Sequence, residues 1–161
     1  MKTLIIIRHA KSSWEYDVSD TDRSLLERGV KDAHRTADYL TGKIEEPDAV
    51  FSSYANRALH TCIIFLKTLR IPFQKLRIVE DMYDFGGEKV IALLRSLDNA
   101  HKSVAVFGHN YALTSICNIF GDKPIDNLPT SGVVVISFNV DDWARIERGH
   151  TELIVFPKQL R

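Results

Sequence analysis

The chain lacks the features that mark membrane, secreted and nucleic-acid-binding proteins. Its longest apolar run, residues 4–7, is far shorter than the ~20 residues that span a bilayer. Residues 1–3 lead straight into that run, without the apolar segment and cleavage site of a secretory signal. Basic and acidic side chains number 21 each, so no positive excess favours nucleic acid or an anionic membrane surface. We therefore expect a cytoplasmic protein that binds neither nucleic acid nor membrane.

Metal-binding, disulfide and nucleotide-binding patterns are also missing. The two cysteines, Cys62 and Cys117, lie in apolar helical patterns and are expected to be reduced core residues. The six histidines form no His-x-x-x-His pair, which disfavours a zinc site. The absence of a Gly-rich P-loop disfavours the phosphate chain of a bound nucleotide. No metal or other cofactor is expected.

The sequence does contain an alternation of apolar strands and amphipathic helices. Its 161 residues predict one domain over residues 1–161, at ~100–200 residues per domain. Six strands are predicted at residues 3–7, 47–51, 76–79, 103–107, 133–138 and 152–155, and four helices near 26–40, 58–69, 88–97 and 111–120. Ser24 and Glu27 fit a capping box at the start of the first helix, and Gly42 is placed to end it. This pattern predicts an α/β protein, a three-layer α/β/α sandwich with a mostly parallel central sheet.

Polar clusters follow three of the predicted strands, where ligands bind in open α/β sheets. The clusters combine hydrogen-bond donors with a cation or an imidazole: Arg8, His9, Lys11 and Ser12; Ser52, Ser53, Asn56 and Arg57; Gly108, His109 and Asn110. Two arginines from different strands suit a tetrahedral oxyanion such as phosphate, which guanidinium groups bind with two prongs. Helix N-termini would add unpaired N–H donors. The residues alone therefore predict an anion-binding α/β domain with imidazole chemistry.

These clusters resemble the signature of the histidine phosphatase superfamily, which has the phosphoglycerate mutase-like fold. Residues 8–10, Arg-His-Ala, are similar to its Arg-His-Gly motif, and the similarity extends through Arg23, Arg57 and His109. The short chain and the opening Arg-His-Ala-Lys-Ser-Ser-Trp are most similar to the phosphohistidine phosphatase branch, the SixA type. The resemblance implies that His9 is a nucleophile that forms a covalent phosphohistidine intermediate. It also implies that Arg8, Arg57 and His109 bind the phosphoryl oxygens.

The resemblance assigns further roles with weaker matches. Ser12 would add a phosphate contact, with Arg23 and Thr130 behind it. Glu80, in Glu-x-x-Tyr, matches the catalytic general acid of larger members, with Asp81 as the alternative. Two positions depart from the family pattern: an alanine replaces the usual glycine at position 10, and a glutamate occupies position 15, where mutase-like members often carry a phosphate-contacting asparagine.

The resemblance implies a metal-independent phosphatase that removes phosphate from phosphohistidine in a protein. Two alternatives remain open: a phosphatase of a small phosphoester or pyrophosphate metabolite, and a phosphate-binding module without turnover. Binding alone does not need the nucleophile that His9 would supply, which argues against the module. The short segment between Val79 and Glu88 leaves little chain for a lid that excludes water, which disfavours a mutase. The expected partner is a phosphorylated protein or a small phosphorylated substrate.

Overall fold

The computed structural model describes residues 1–161 and contains six strands and four α-helices. The strands are β1 (Lys2–Arg8), β2 (Ala49–Ser52), β3 (Leu76–Ile78), β4 (Ser103–Gly108), β5 (Val133–Phe138) and β6 (His150–Val155). The helices are α1 (Glu27–Leu40), α2 (Asn56–Leu69), α3 (Glu88–Arg95) and α4 (Ala112–Phe120). None of the helices has the length and apolar character needed to cross a membrane.

All six strands form one sheet in the order β3-β2-β4-β1-β5-β6. The pairs β3–β2, β2–β4 and β4–β1 are parallel, whereas β5 runs antiparallel to both β1 and β6. The prediction of an α/β fold with a mostly parallel sheet is confirmed. Because β2, β4 and β1 are parallel neighbours, their carboxyl ends lie side by side at one edge of the sheet.

The two faces of the sheet carry two separate apolar cores. Alternate residues of a strand point to opposite faces, so Leu4 and Ile6 of β1 pack in the core of α3 and α4. Ile5 and Ile7 pack in the core of α1 and α2. Helices therefore cover both faces, and the predicted three layers are present.

The start of α1 is not capped as predicted; it is hydrogen-bonded to the segment that follows β1. Leu26, not Ser24, occupies the N-cap, and no side chain caps the helix, so the predicted capping box is wrong. The Leu26 N–H instead donates to the Lys11 carbonyl oxygen at 2.9 Å, which joins the helix to the segment after β1. A Cβ on Gly29 would lie 2.3 Å from the same oxygen. Glycine therefore lets α1 approach the backbone that follows β1.

Candidate active site

The sheet brings the three predicted polar clusters together. Arg8 at the end of β1 is in register with Gly108 at the end of β4. The His9 N–H then donates to the Gly108 carbonyl oxygen at 3.1 Å, and the Ser53 N–H donates to the Phe107 carbonyl oxygen at 3.1 Å. Residues that follow β1, β2 and β4 thus lie next to one another because their strands are hydrogen-bonded neighbours.

His9 is held as a neutral imidazole. Its side chain is 8% exposed, and its Nδ1 lies 2.7 Å from the Ala10 carbonyl oxygen. A carbonyl can only accept, so Nδ1 carries the proton and the lone pair lies on Nε2. Burial lowers the pKa of His9 to about 3, against the opposing effect of the hydrogen bond to Ala10 and with smaller contributions from His109 and from the charges of Arg8 and Arg57. A neutral imidazole with a free Nε2 is the form that can attack phosphorus.

The two arginines are anchored through their terminal nitrogens. Arg8 Nη1 donates to the Leu128 carbonyl oxygen at 2.9 Å. Arg57 donates from Nη1 to the Asp20 carbonyl oxygen at 2.6 Å and from Nη2 to Asp20 Oδ2 at 2.8 Å. The Nε–H of each arginine is buried and has no hydrogen-bond partner within the protein. Both guanidinium groups are therefore fixed in position while N–H donors of each remain unpaired.

His109 adds a third unpaired nitrogen. It is 1% exposed, and its ring centroid lies 5.3 Å from that of His9. Its Nε2 lies 2.8 Å from Ser53 Oγ, which already accepts from the Ala55 N–H, so the hydroxyl can donate to Nε2 and leave the proton on Nδ1. That Nδ1 is buried without a partner. Burial, followed by the charge of Arg57, lowers the pKa of His109 to about 3.

A cavity of about 330 Å³ opens at this edge of the sheet. Of the predicted residues, the following line it: Arg8, His9, Lys11, Ser12, Arg23, Arg57, Asn110 and Thr130. His109 contacts two residues that line it, His9 and Phe85. Ser12 Oγ accepts from Arg23 Nη2, so this hydroxyl fixes an arginine at the cavity wall.

Glu80 and Asp81 do not line the cavity. Glu80 is exposed at the start of a 3-10 turn, Glu80–Met82, and its side chain forms no hydrogen bond or ion pair in the structure. Glu15 is also exposed and outside the cavity. The general-acid role of Glu80 stays a prediction, and its position gives it no contact with the groups described above.

Asp20 is the carboxylate that does line the cavity, and the sequence analysis missed it. Besides Arg57, it accepts hydrogen bonds from Arg23 Nη1 at 3.3 Å and the Tyr83 hydroxyl at 2.6 Å. Partial burial alone would raise the pKa of Asp20, but the hydrogen bonds from Tyr83 and Arg57 and the charge of Arg57 together lower it to about 2. Nothing in the sequence distinguishes Asp20 from Asp17 or Asp22 in the same polar loop.

Phe85 is the second lining residue that the sequence did not indicate. Its ring lies 5.0 Å from that of His109 and 5.1 Å from that of Tyr83, centroid to centroid. The neighbouring Asp84 carboxylate accepts from the backbone N–H groups of Gly86, Gly87, Lys89 and Val90. This fixes the segment to the start of α3 and holds Phe85 over His109.

A threonine links the nucleophile candidate to α2. The Thr61 hydroxyl oxygen accepts from the Ala10 N–H at 2.8 Å and donates to the Arg57 carbonyl oxygen at 2.7 Å. Ala10 itself is fully buried. Its methyl group therefore fits at the position where the family motif has glycine. The Thr61 hydroxyl links the backbone after His9 to the backbone of α2 at Arg57.

Comparison with known proteins places this geometry in a family. The model of the histidine phosphatase superfamily, branch 1, matches residues 4–86. An uncharacterised protein of Mycobacterium tuberculosis is 26% identical over 160 residues, which cover 93% of this chain and 98% of that protein.

Two solved structures share the fold. The protein histidine phosphatase SixA in complex with tungstate superposes with a TM-score of 0.82 at 22% identity, covering 99% of each chain. The α-ribazole phosphatase of Shigella flexneri superposes with a TM-score of 0.69 at 15% identity, covering 96% of each chain. With the family model spanning more than half of its residues, this chain belongs to the histidine phosphatase superfamily.

Proposed function

We propose that the protein is a phosphatase that uses His9 as its nucleophile. One observation carries the proposal: a neutral imidazole with a free Nε2 lines one cavity with Arg8 and Arg57 and packs against His109, and each of these three residues has a buried nitrogen that lacks a partner. Buried donors that stay unpaired are costly unless a ligand pairs with them. Two guanidinium groups and an imidazole suit the oxygens of a phosphoryl group.

The reaction would proceed in two displacements. His9 Nε2 attacks phosphorus, the bond from phosphorus to the leaving group breaks, and Arg8, Arg57 and His109 stabilise the charge on the phosphoryl oxygens. Water then attacks the phosphohistidine, the P–N bond breaks, and its electron pair returns to Nε2 as phosphate departs. Ser12 and Asp20 would support the reaction indirectly, by fixing Arg23 and Arg57.

The substrate we propose is phosphohistidine in a protein. The carboxylate that lines the cavity, Asp20, has a pKa of about 2 and is therefore ionised at neutral pH, so it cannot readily protonate a leaving group. An imidazole leaving group, whose conjugate acid has a pKa of ~6.5, needs little such help, whereas an alkoxide needs a well-placed acid. The similarity to the histidine phosphatase SixA supports the same choice.

A small phosphoester is the second candidate. The cavity volume of about 330 Å³ lies within the range of small-molecule sites, and the chain shares its fold with an α-ribazole phosphatase. Exposed Glu80 would then have to move to serve as the acid, or another group would have to replace it.

A substrate panel with intermediate trapping tests the proposal. We expect higher kcat/KM for phosphohistidine and phosphoramidate than for alkyl phosphates, activity that survives EDTA, and inhibition by vanadate. Rapid quenching without acid should trap labelled phosphate on His9, stable in alkali and lost in acid. Label on a serine would show that His9 is not the nucleophile. Strict dependence on added magnesium would refute the metal-independent mechanism. A preference for alkyl esters would favour a phosphatase of a small phosphoester.

A further inference from the structure

Exposed hydrophobic side chains concentrate around the cavity. Ten large hydrophobic side chains are exposed in the structure. Six of them lie on the loops that follow β1 to β4: Trp14, Tyr16, Val18, Tyr54, Phe85 and Tyr111. Because these strands are parallel, the loops share the edge of the sheet where His9 lies. We call these six residues, five aromatic and one valine, the aromatic rim.

Part of the rim is continuous with the cavity. The rings of Tyr54 and Tyr83 lie 5.1 Å apart, and Tyr83 in turn contacts Phe85, which lines the cavity. Trp14 also lines it; the Trp14 side chain is 78% exposed and lies over the Arg23 guanidinium at 3.3 Å. Apolar surface of this kind around a polar site is typical of a surface that contacts another protein.

The charge around the rim is opposite to the charge within the cavity. Residues 15–22 contain four acidic side chains and no basic one. Five acidic side chains near this edge are exposed and form no ion pair in the structure: Glu15, Asp17, Asp22, Glu80 and Asp81. Inside, Arg8 and Arg57 each keep a buried, unpaired N–H. Exposed basic side chains at this edge include Lys11 at the cavity wall and Arg28 and Lys89 in the first turns of α1 and α3.

We propose that the aromatic rim and its acidic side chains dock a protein segment in which the phosphohistidine is flanked by basic and apolar side chains. This inference rests on the proposed function and specifies its substrate. The unpaired donors would bind the phosphoryl group, the rim would contact apolar neighbours, and Glu15 and Asp17 would attract lysine or arginine. A small, highly anionic metabolite gains nothing from the rings outside the cavity and is repelled by the carboxylates.

Phosphohistidine peptides of equal length test the inference on the full-length protein. Three flanks are compared: lysine with leucine, aspartate with leucine, and lysine with serine. We expect kcat/KM for the lysine–leucine peptide to exceed that for either other peptide by at least about tenfold, through a lower KM. Inorganic phosphoramidate, which has no flanks, measures the cavity alone.

Variants of the aromatic rim and of its acidic neighbours show which side chains cause the preference between peptides. Glu15→Lys/Asp17→Lys should abolish or reverse the preference for lysine over aspartate, and Tyr16→Ala should reduce the preference for leucine over serine, while neither changes phosphoramidate hydrolysis. The control for the acidic side chains is Glu147→Lys, because Glu147 is exposed and forms no ion pair. The control for the rim is Phe73→Ala, because Phe73 is 52% exposed but precedes β3, at the opposite edge of the sheet from His9. Both controls should behave as wild type.

The outcomes separate the inference from the function on which it rests. Equal rates for all three peptides, unaffected by the rim variants, would refute the docking role and leave the phosphatase proposal standing. Failure to hydrolyse any P–N substrate would refute both. A preference for lysine flanks that survives Glu15→Lys/Asp17→Lys would also refute the role of the acidic side chains.

Discussion

The floor of the site, which we define as Arg8, His9, Arg57 and His109, and the aromatic rim are built in opposite ways. Floor residues Arg57 and His109 are 2% and 1% exposed, and they follow hydrogen-bonded strands whose register determines where they lie. Rim residues such as Trp14 and Phe85 are 78% and 44% exposed and lie on loops. On the proposed function, the sheet would determine the chemistry and the loops would be free to determine the substrate. Substitutions in the floor should abolish turnover, whereas substitutions in the rim should change which substrates are used.

The largest effect is expected in the floor, at the nucleophile. His9→Ala should lower kcat by at least about four orders of magnitude, because no other group can form the covalent intermediate, and it should leave folding intact. Steady-state kinetics with circular dichroism measure both. His34→Ala, an exposed histidine on α1, is the control and should keep wild-type activity. If His9→Ala kept a tenth of that activity, His9 would not be the nucleophile.

Arg57→Lys should have the next largest effect, although it preserves the charge. Lysine carries its three N–H donors on one nitrogen, so it can bond to Asp20 but has no N–H at the position of the buried Arg57 Nε. We expect kcat/KM to fall by about 10²–10³-fold, as for loss of one donor to a transition-state oxyanion. Arg28→Lys, exposed on α1, controls for the substitution itself. A near-wild-type Arg57→Lys would place this residue outside the reaction.

The same comparison explains how much could be predicted from the sequence. An apolar run followed by arginine and histidine marks a buried strand and its ligand-binding end, so Arg8, His9 and His109 could be located before the fold was known. Asp20 and Phe85 could not, because their importance depends on contacts with Arg57 and His109 that loops far apart in sequence provide. Glu80 was selected by its spacing to Tyr83, which identifies a segment but not which of its side chains reaches the cavity.

Burial of the floor histidines predicts a pH-dependent loss of stability. The pKa values of His9 and His109 are lowered to about 3, against an ordinary value of 6.5. Between these values the unfolded chain binds protons that the folded protein does not. The free energy of unfolding should therefore fall as pH drops from about 6.5 toward 3, by up to about 1.4 kcal/mol per pH unit for each histidine.

Urea unfolding at pH 7, 6 and 5 measures this dependence. In His9→Gln/His109→Gln the slope of stability against pH should be clearly smaller, since these two groups no longer titrate. Asp20, with a pKa of about 2, is expected to contribute at lower pH than this range. An unchanged slope in the double variant would show that the two imidazoles are not held neutral by the fold.

A smaller effect is expected where the floor meets α1. Gly29→Ala would place a Cβ 2.3 Å from the Lys11 carbonyl oxygen, so α1 or the segment after His9 must move. We expect a loss of about 1–3 kcal/mol in the free energy of unfolding, typical of overpacking. Gly86→Ala is the matched control, since its Cβ would lie 3.9 Å from the nearest atom, on Asp84. Equal unfolding midpoints in urea for the two variants would contradict this explanation of Gly29.

The smallest effect is expected at Glu80, and it decides whether an acidic side chain near the rim takes part in the chemistry. The side chain is exposed, lies outside the cavity and has no partner, so Glu80→Gln should slow alkyl phosphate hydrolysis by only a few fold and phosphohistidine hydrolysis less. A general acid would behave differently, because its loss costs ~10²–10⁴-fold with a poor leaving group and little with imidazole. Measuring kcat/KM for both substrates separates the two roles. A large loss confined to alkyl phosphates would mean that substrate binding draws Glu80 into the cavity, and the division between a reactive floor and a selective rim would no longer hold.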